Sequence, residues 1–161
     1  MVKSAIGHSA LSEREKDIWI LKKLLEAHRD KEVRVFTSTL TIAECTHAGE
    51  APISEKTKSE FTRLLISGQY LHLVQMTPFI AMDARDLRWV HGINLRGADS
   101  IHVASAIAMK CEEFLSCDDK LTRIEAQGAK LFKLGLSPKR GAATLCLPDK
   151  YRQLGFNDGS S

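Results

Sequence analysis

Hydrophobic positions along the chain follow two rhythms that take turns. Residues 12–28 (SEREKDIWILKKLLEAH) open on a serine with acids in the next turn. Ile18, Leu21, Leu24 and Leu25 then recur at helical spacing, which predicts an amphipathic helix with Ser12 at its N-cap. After a polar turn, residues 33–36 (VRVF) are a short β-branched and aromatic run, expected to be a strand. The hydroxyl cluster Thr37, Ser38, Thr39 and Thr41 can cap a helix reaching about Ala48. Residues 54–67 predict a helix ended by Gly68, 71–74 (LHLV) a strand before Pro78, and 79–91 a further helix. Residues 98–110 (ADSIHVASAIAMK) are apolar on most of their circumference, the mark of a helix buried against a sheet. A strand at 114–117, a short helix at 120–126 and a last strand at 130–134 (KLFKL) precede a turn-rich tail. Strands alternating with helices predict a three-layer α/β/α domain around a mostly parallel central sheet. No internal repeat or linker interrupts it, so residues 1–161 are expected to form a single domain, with 155–161 (GFNDGSS) frayed.

Composition narrows the class. The 161 residues are 43% hydrophobic and 27% charged, as in an ordinary globular domain. No apolar run approaches the roughly 18 residues of a membrane span, and the first residues lack the apolar stretch of a secretory signal. The expectation is a cytoplasmic protein with no membrane partner. Twenty-three basic against twenty acidic residues leave +3, compatible with a nucleic-acid partner without demanding one. Cys45, Cys111, Cys117 and Cys146 form no C-x-x-C pair, and Cys45 near His47 has no matching second pair. Reduced thiols are therefore expected rather than structural zinc.

Three carboxylates stand where the rhythm changes element. Glu44 lies one turn into the helix after the first strand, Asp99 opens the buried helix, and Asp118, with Asp119 beside it, follows the strand at 114–117. In a parallel sheet, the C-terminal ends of the strands and the starts of the following helices share one edge, where ligands bind. Acids from three distant segments would converge there and repel one another unless a cation neutralised them. A hard divalent ion, Mg²⁺ or Mn²⁺, suits such a donor set. Each acid also has a local explanation: Thr41-x-x-Glu44 fits a capping box, Asp99 suits a helix N-terminus, and Asp118 can cap the next helix. Pattern alone leaves both readings open.

Residues 38–44 (STLTIAE), 97–106 (GADSIHVASA) and 114–121 (FLSCDDKL) resemble, in order and spacing, the three downstream motifs of the PIN-domain family, including its small VapC-type toxins. Glu44 to Asp99 is 55 residues and Asp99 to Asp118 is 19, and the similarity spans roughly residues 12–135. The resemblance implies an α/β/α fold of strand order 3-2-1-4-5 and an Mg²⁺- or Mn²⁺-dependent ribonuclease. It assigns Glu44, Asp99 and Asp118 to the catalytic metal site, with Asp119 and Ser116 as neighbours of lesser weight. It also implies an RNA substrate, an antitoxin protein that places a basic side chain among the carboxylates, and a homodimer.

The front of the chain departs from the family, whose first strand lies mid-sheet and ends in an aspartate roughly forty residues before the glutamate motif. Counting back 41 from Glu44 reaches Lys3, followed by Ser4, and no acid precedes Glu13. The first strand and its aspartate are thus expected to be missing or altered, and cleavage impaired. A PIN-fold module that binds RNA or protein without cutting is the alternative, and an unrelated α/β interaction module the weaker third. Arg85, Arg88 and Arg96 are expected to flank the hollow, while Lys133, Lys139, Arg140, Lys150 and Arg152 are candidates for phosphate contact or for a solvated face. His102 reads as a core histidine or as one that supports a ligand, and Trp19 and Trp89 as core or interface anchors.

Overall fold

The structure is a computed structural model and describes residues 12–45, 52–95, 97–117, 125–141 and 143–152. Local chemistry sets three of the helix starts. Ser12 and Glu15 close a reciprocal capping box at the head of α1 (Glu13–Arg29): Ser12 N–H donates to Glu15 Oε2 at 2.9 Å, and Glu15 N–H to Ser12 Oγ at 3.3 Å. Strand β1 (Phe36–Ser38) runs into the short helix α2 (Leu40–Glu44). Ser54 caps α3 (Glu55–Ile66), which leads to β2 (His72–Val74). Thr77 caps α4 (Pro78–Trp89), where Pro78 occupies the first turn and forfeits no intrahelical bond. Then follow α5 (Ala98–Ala108), β3 (Glu113–Ser116), α6 (Glu125–Lys133), β4 (Ser137–Arg140) and α7 (Asp149–Arg152).

The four strands form two parallel pairs. β1 lies on β2 with Phe36 opposite His72 and Ser38 opposite Val74, and β3 lies on β4 with Glu113 opposite Ser137. No hydrogen-bonded ladder joins the pairs among the described residues. These pairings are those the strand order 3-2-1-4-5 requires of its second to fifth strands. Residues 1–11, where the first strand of that order and Lys3 are expected, lie outside the described residues.

Helices cover both faces. On one, Leu24 and Ala27 of α1 pack with Leu147, Val33, Val35, Leu115 and Tyr151, so a single helix bridges residues of both pairs. On the other, Ile80, Ala84 and Leu87 of α4 meet Val103, Ala104 and Ala106 of α5, with Ile93, Leu131, Leu136 and Phe114 completing the core. Val103, Ile93 and Leu136 are fully buried. Burying a side chain of that size is worth about 1.5–3 kcal/mol, so this layer holds α5 firmly against the sheet.

Two expected strands are corrected. The first ladder begins at Phe36 instead of residue 33, because Val33 and Val35 spend their side chains on the α1 core and the Val35 N–H donates to His28 Nδ1 at 2.9 Å. Residues 130–133 are the last turn of α6, not a strand. Leu131 is buried and Leu134 half-buried, a spacing of three that suits a helix face. Gly135, at φ 82°, ends that helix, and the Leu136 N–H reaches back to the Leu131 carbonyl at 3.0 Å, a Schellman closure. The last strand follows at 137–140, where Pro138 is tolerated: the Ser137 N–H bonds the Glu112 carbonyl, and the next N–H in the alternation faces away from β3.

Candidate functional site

Glu44 is the last residue of α2, just past the C-terminal end of β1, and Asp99 sits in the first turn of α5. Gly97 precedes that turn at φ 53°, ψ −126°, a conformation open to glycine, and its carbonyl accepts the Ser100 hydroxyl at 2.8 Å. Asp99 is half-buried, and Glu44 keeps 44% of its side chain exposed. Both line one long groove of about 900 Å³ between β1 and β3, the slot that the strand order 3-2-1-4-5 reserves for the expected first strand, and Ser38, His102 and Ser116 line it toward the C-terminal ends of the strands. The two acids expected to meet, 55 residues apart in sequence, therefore open onto a common hollow.

The third acid is set by continuity of chain alone. β3 ends at Ser116 on the groove wall and Cys117 follows; Asp118 and Asp119 lie outside the described residues. Among the described residues no cluster of three His, Cys, Asp or Glu side chains is close enough to hold a metal ion. Glu44 and Asp99 lie beyond the C-terminal ends of the strands, whereas the groove's other described acids and thiols, Glu32, Glu112, Glu113, Cys111 and Cys146, belong to segments away from those ends; oxygen donors of the Glu44 and Asp99 kind suit a hard cation such as Mg²⁺ or Mn²⁺ rather than zinc.

A hydrogen-bonded chain ties Glu44 to the fold. Leu40 N–H donates to Ser38 Oγ at 3.2 Å, Ser38 Oγ pairs with His102 Nδ1 at 3.1 Å, and His102 Nε2 pairs with Glu44 Oε2 at 2.6 Å. Ser, His and Glu in a row have the composition of an acyl-transfer triad. Ser38, however, is 1% exposed and its oxygen already accepts a backbone N–H, so no substrate carbonyl reaches it. Its partnership with His102, 64 residues away, has no signal in local sequence.

The basic residues are placed differently from the expectation. Arg85 and Arg88 do not line the groove. Arg85 pairs with Asp86 at 2.8 Å and stacks over Trp89 at 4.6 Å from the ring, on the exposed side of α4, and Trp89 is 73% exposed instead of a core anchor. Arg96 lies outside the described residues. Among the described residues the cations on the groove are Lys31, Arg34 and Lys110, which precede β1 and β3 and so lie toward the opposite end of the strands from Glu44 and Asp99. Arg34 was hidden in the sequence because it interrupts an apolar strand-like run, where a charge reads only as the solvent side of the alternation. In the tail, Lys150 pairs with Glu32, and Arg152 donates to the carbonyls of Leu147 and Thr144, so these two cations brace structure. All four cysteines are free thiols, and burial pushes those of Cys111 and Cys146 up, away from reactivity.

Among the described residues no helix is long and apolar enough to cross a membrane. Comparison with curated proteins and with solved structures finds no match. The family model described as PIN domain matches residues 6–127, which include Glu44, Asp99 and Asp118. That match spans most of the chain and both walls of the groove, and the chain belongs to the PIN domain family, whose members are in general nucleases that hydrolyse phosphodiester bonds.

Proposed function

We propose that the chain is a divalent-metal-dependent endoribonuclease of the toxin type, in which Glu44, Asp99 and Asp118, with Asp119 beside them, form the Mg²⁺ or Mn²⁺ site. The observation that supports this reading is that Glu44, just past the C-terminal end of β1, and Asp99, in the first turn of α5, line the same groove. A bound divalent ion would activate water for in-line attack and offset charge on the leaving oxygen. The chain's own residues do the rest. Glu44 and Asp99 present oxygens from a short helix and from a buried one. The free carboxylates repel an RNA backbone, so substrate enters productively only once the acids are neutralised.

Impairment belongs to this proposal. With Lys3 in place of an aspartate, three carboxylates facing Mg²⁺ and an ammonium sum to zero, where four carboxylates facing Mg²⁺ would sum to −2. Losing a group that merely supports a ligand commonly costs about 10–100-fold, and losing a ligand costs at least that. The partners proposed are single-stranded RNA, an antitoxin whose basic side chain takes the cation's place, and a second copy of the chain. Phe79 and Trp89, both 73% exposed on α4, supply apolar surface for such a dimer. The chain is proposed to act in the cytoplasm.

Cleavage of a generic single-stranded RNA under an Mg²⁺ or Mn²⁺ titration tests the reading. The unchanged chain should cut slowly, Lys3→Asp should raise the rate at least about 10-fold, and Asp99→Asn should abolish it. Cutting that survives both a chelator and Asp99→Asn would overturn the reading. Tight RNA binding without cutting, in every variant, would favour the inactive module instead.

A further inference from the structure

His102 stands beside the groove acids and does no chemistry in the mechanism above. We propose that it is a positioning residue: with Ser38 behind it, it clamps one oxygen of Glu44 and so aims the other at the cation, a role that rests on Glu44 being a ligand. Glu44 needs such a device. It ends a five-residue helix whose N-cap makes no side-chain bond, and its carboxylate is 44% exposed, so its own backbone leaves the side chain free to sample several rotamers. α5 is anchored, by contrast: Val103 and Ala104 flank His102 in the buried core and are 0% and 1% exposed.

The hydrogen-bond pattern fixes the direction of the clamp. The Glu44 carboxylate can only accept, so the ring proton belongs on Nε2, and in the neutral ring Nδ1 is then an acceptor for the Ser38 hydroxyl, whose oxygen accepts the Leu40 N–H. That Nε2–H donates to Glu44 Oε2 at 2.6 Å. One carboxylate oxygen is thereby engaged and Oε1 is left for a ligand. The three residues come from β1, α2 and α5, so the clamp also sets the angle at which α2 leaves the sheet. Histidine–carboxylate pairs behind metal sites act in this way, holding a donor in the orientation that binding requires.

Two near-isosteres separate the two ends of the ring. His102→Gln places an amide N–H where Nε2 was and keeps the bond to Glu44; His102→Asn places its polar atoms where Nδ1 was and keeps only Ser38. Mn²⁺ affinity, read by electron paramagnetic resonance of the free ion, should stay within about 3-fold of the parent in His102→Gln and fall about 10–100-fold in His102→Asn, although both melt at similar temperatures. Nitrogen NMR of the metal-free chain should show the Nε2–H tautomer, a readout that needs no cation. Equal affinities in the parent and His102→Asn would overturn the clamp, as would losses in both variants that only track their melting temperatures. If Glu44→Gln and Asp99→Asn bind Mn²⁺ as the parent does, Glu44 is no ligand, and the metal-site reading falls together with the clamp.

Discussion

His28 shows how much one buried ring fixes. It is 6% exposed, its Nδ1 accepts the Val35 N–H at 2.9 Å just before β1 begins, and its edge rests on His72 at 4.7 Å between ring centres. Burial, then repulsion from His72, hold its pKa below the usual histidine value; a hydrogen bond to the Gly68 backbone opposes them without reversing them. Its folded value is therefore lower than its unfolded one. The stability it confers is complete above the ordinary value near 6.5 and drains away as pH falls through the folded value. Protonating Nδ1 also leaves the Val35 N–H without an acceptor, a loss of about 1–3 kcal/mol. Urea unfolding at pH 7.5 and pH 5.5 should show the parent losing more stability on acidification than His28→Asn, whose amide oxygen still accepts that N–H. Equal losses in the two proteins would show that His28 is not the group responsible. Glu113 is held in the opposite direction from what burial alone would do. Burial raises its carboxyl, yet hydrogen bonds from Thr144, Leu145 N–H and Cys146 outweigh that and leave it below the usual range, stitching β3 to the segment ahead of α7.

Elements that write their own ends were legible in the sequence. Ser12, Ser54 and Thr77 cap the helices that follow them, and the Ala-rich run at 98–108 is the buried helix its composition implies. The run at 130–134 misled because five residues, two lysines and three apolar groups, are too short to separate a strand from one turn of helix; Gly135 and the packing of Leu131 decide between them. β4 was illegible for a different reason. Its residues, Ser-Pro-Lys-Arg, carry no strand preference, and only pairing with β3 makes them one. Glu44 and Asp99 line one groove, whereas the Ser38–His102 bond joins positions that nothing local connects. Leu131→Ala should cost about 2–5 kcal/mol in chemical unfolding, while Phe132→Ala, at a position 71% exposed, should shift stability by less than about 0.5 kcal/mol. Comparable losses at both positions would contradict the helical register. Gly97→Ala should destabilise by about 1–3 kcal/mol through backbone strain at φ 53°, since nothing within 4 Å crowds the new methyl. It should also move Asp99, which begins the helix two residues on.

For the molecule as a whole, two parallel strand pairs are held side by side by α1 on one face and by the α4–α5 layer on the other, and the groove between them runs from the segments ahead of the strands to the end where the strands hand over to helices. The fold thus puts Glu44 on one pair's side and the end of β3, which leads into Asp118, on the other, with Asp99 delivered by the helix that packs beneath. A cation there would do mechanical as well as chemical duty, linking segments that no ladder joins among the described residues. Binding only to the folded state would raise the melting temperature as metal is added. Equilibrium Mn²⁺ titration of the chain beside Asp99→Asn and Lys3→Asp therefore tests the central claim most directly. The account predicts one weak site in the parent, at least about 10-fold tighter in Lys3→Asp and lost in Asp99→Asn; Mn²⁺ affinity unchanged by Asp99→Asn would contradict it.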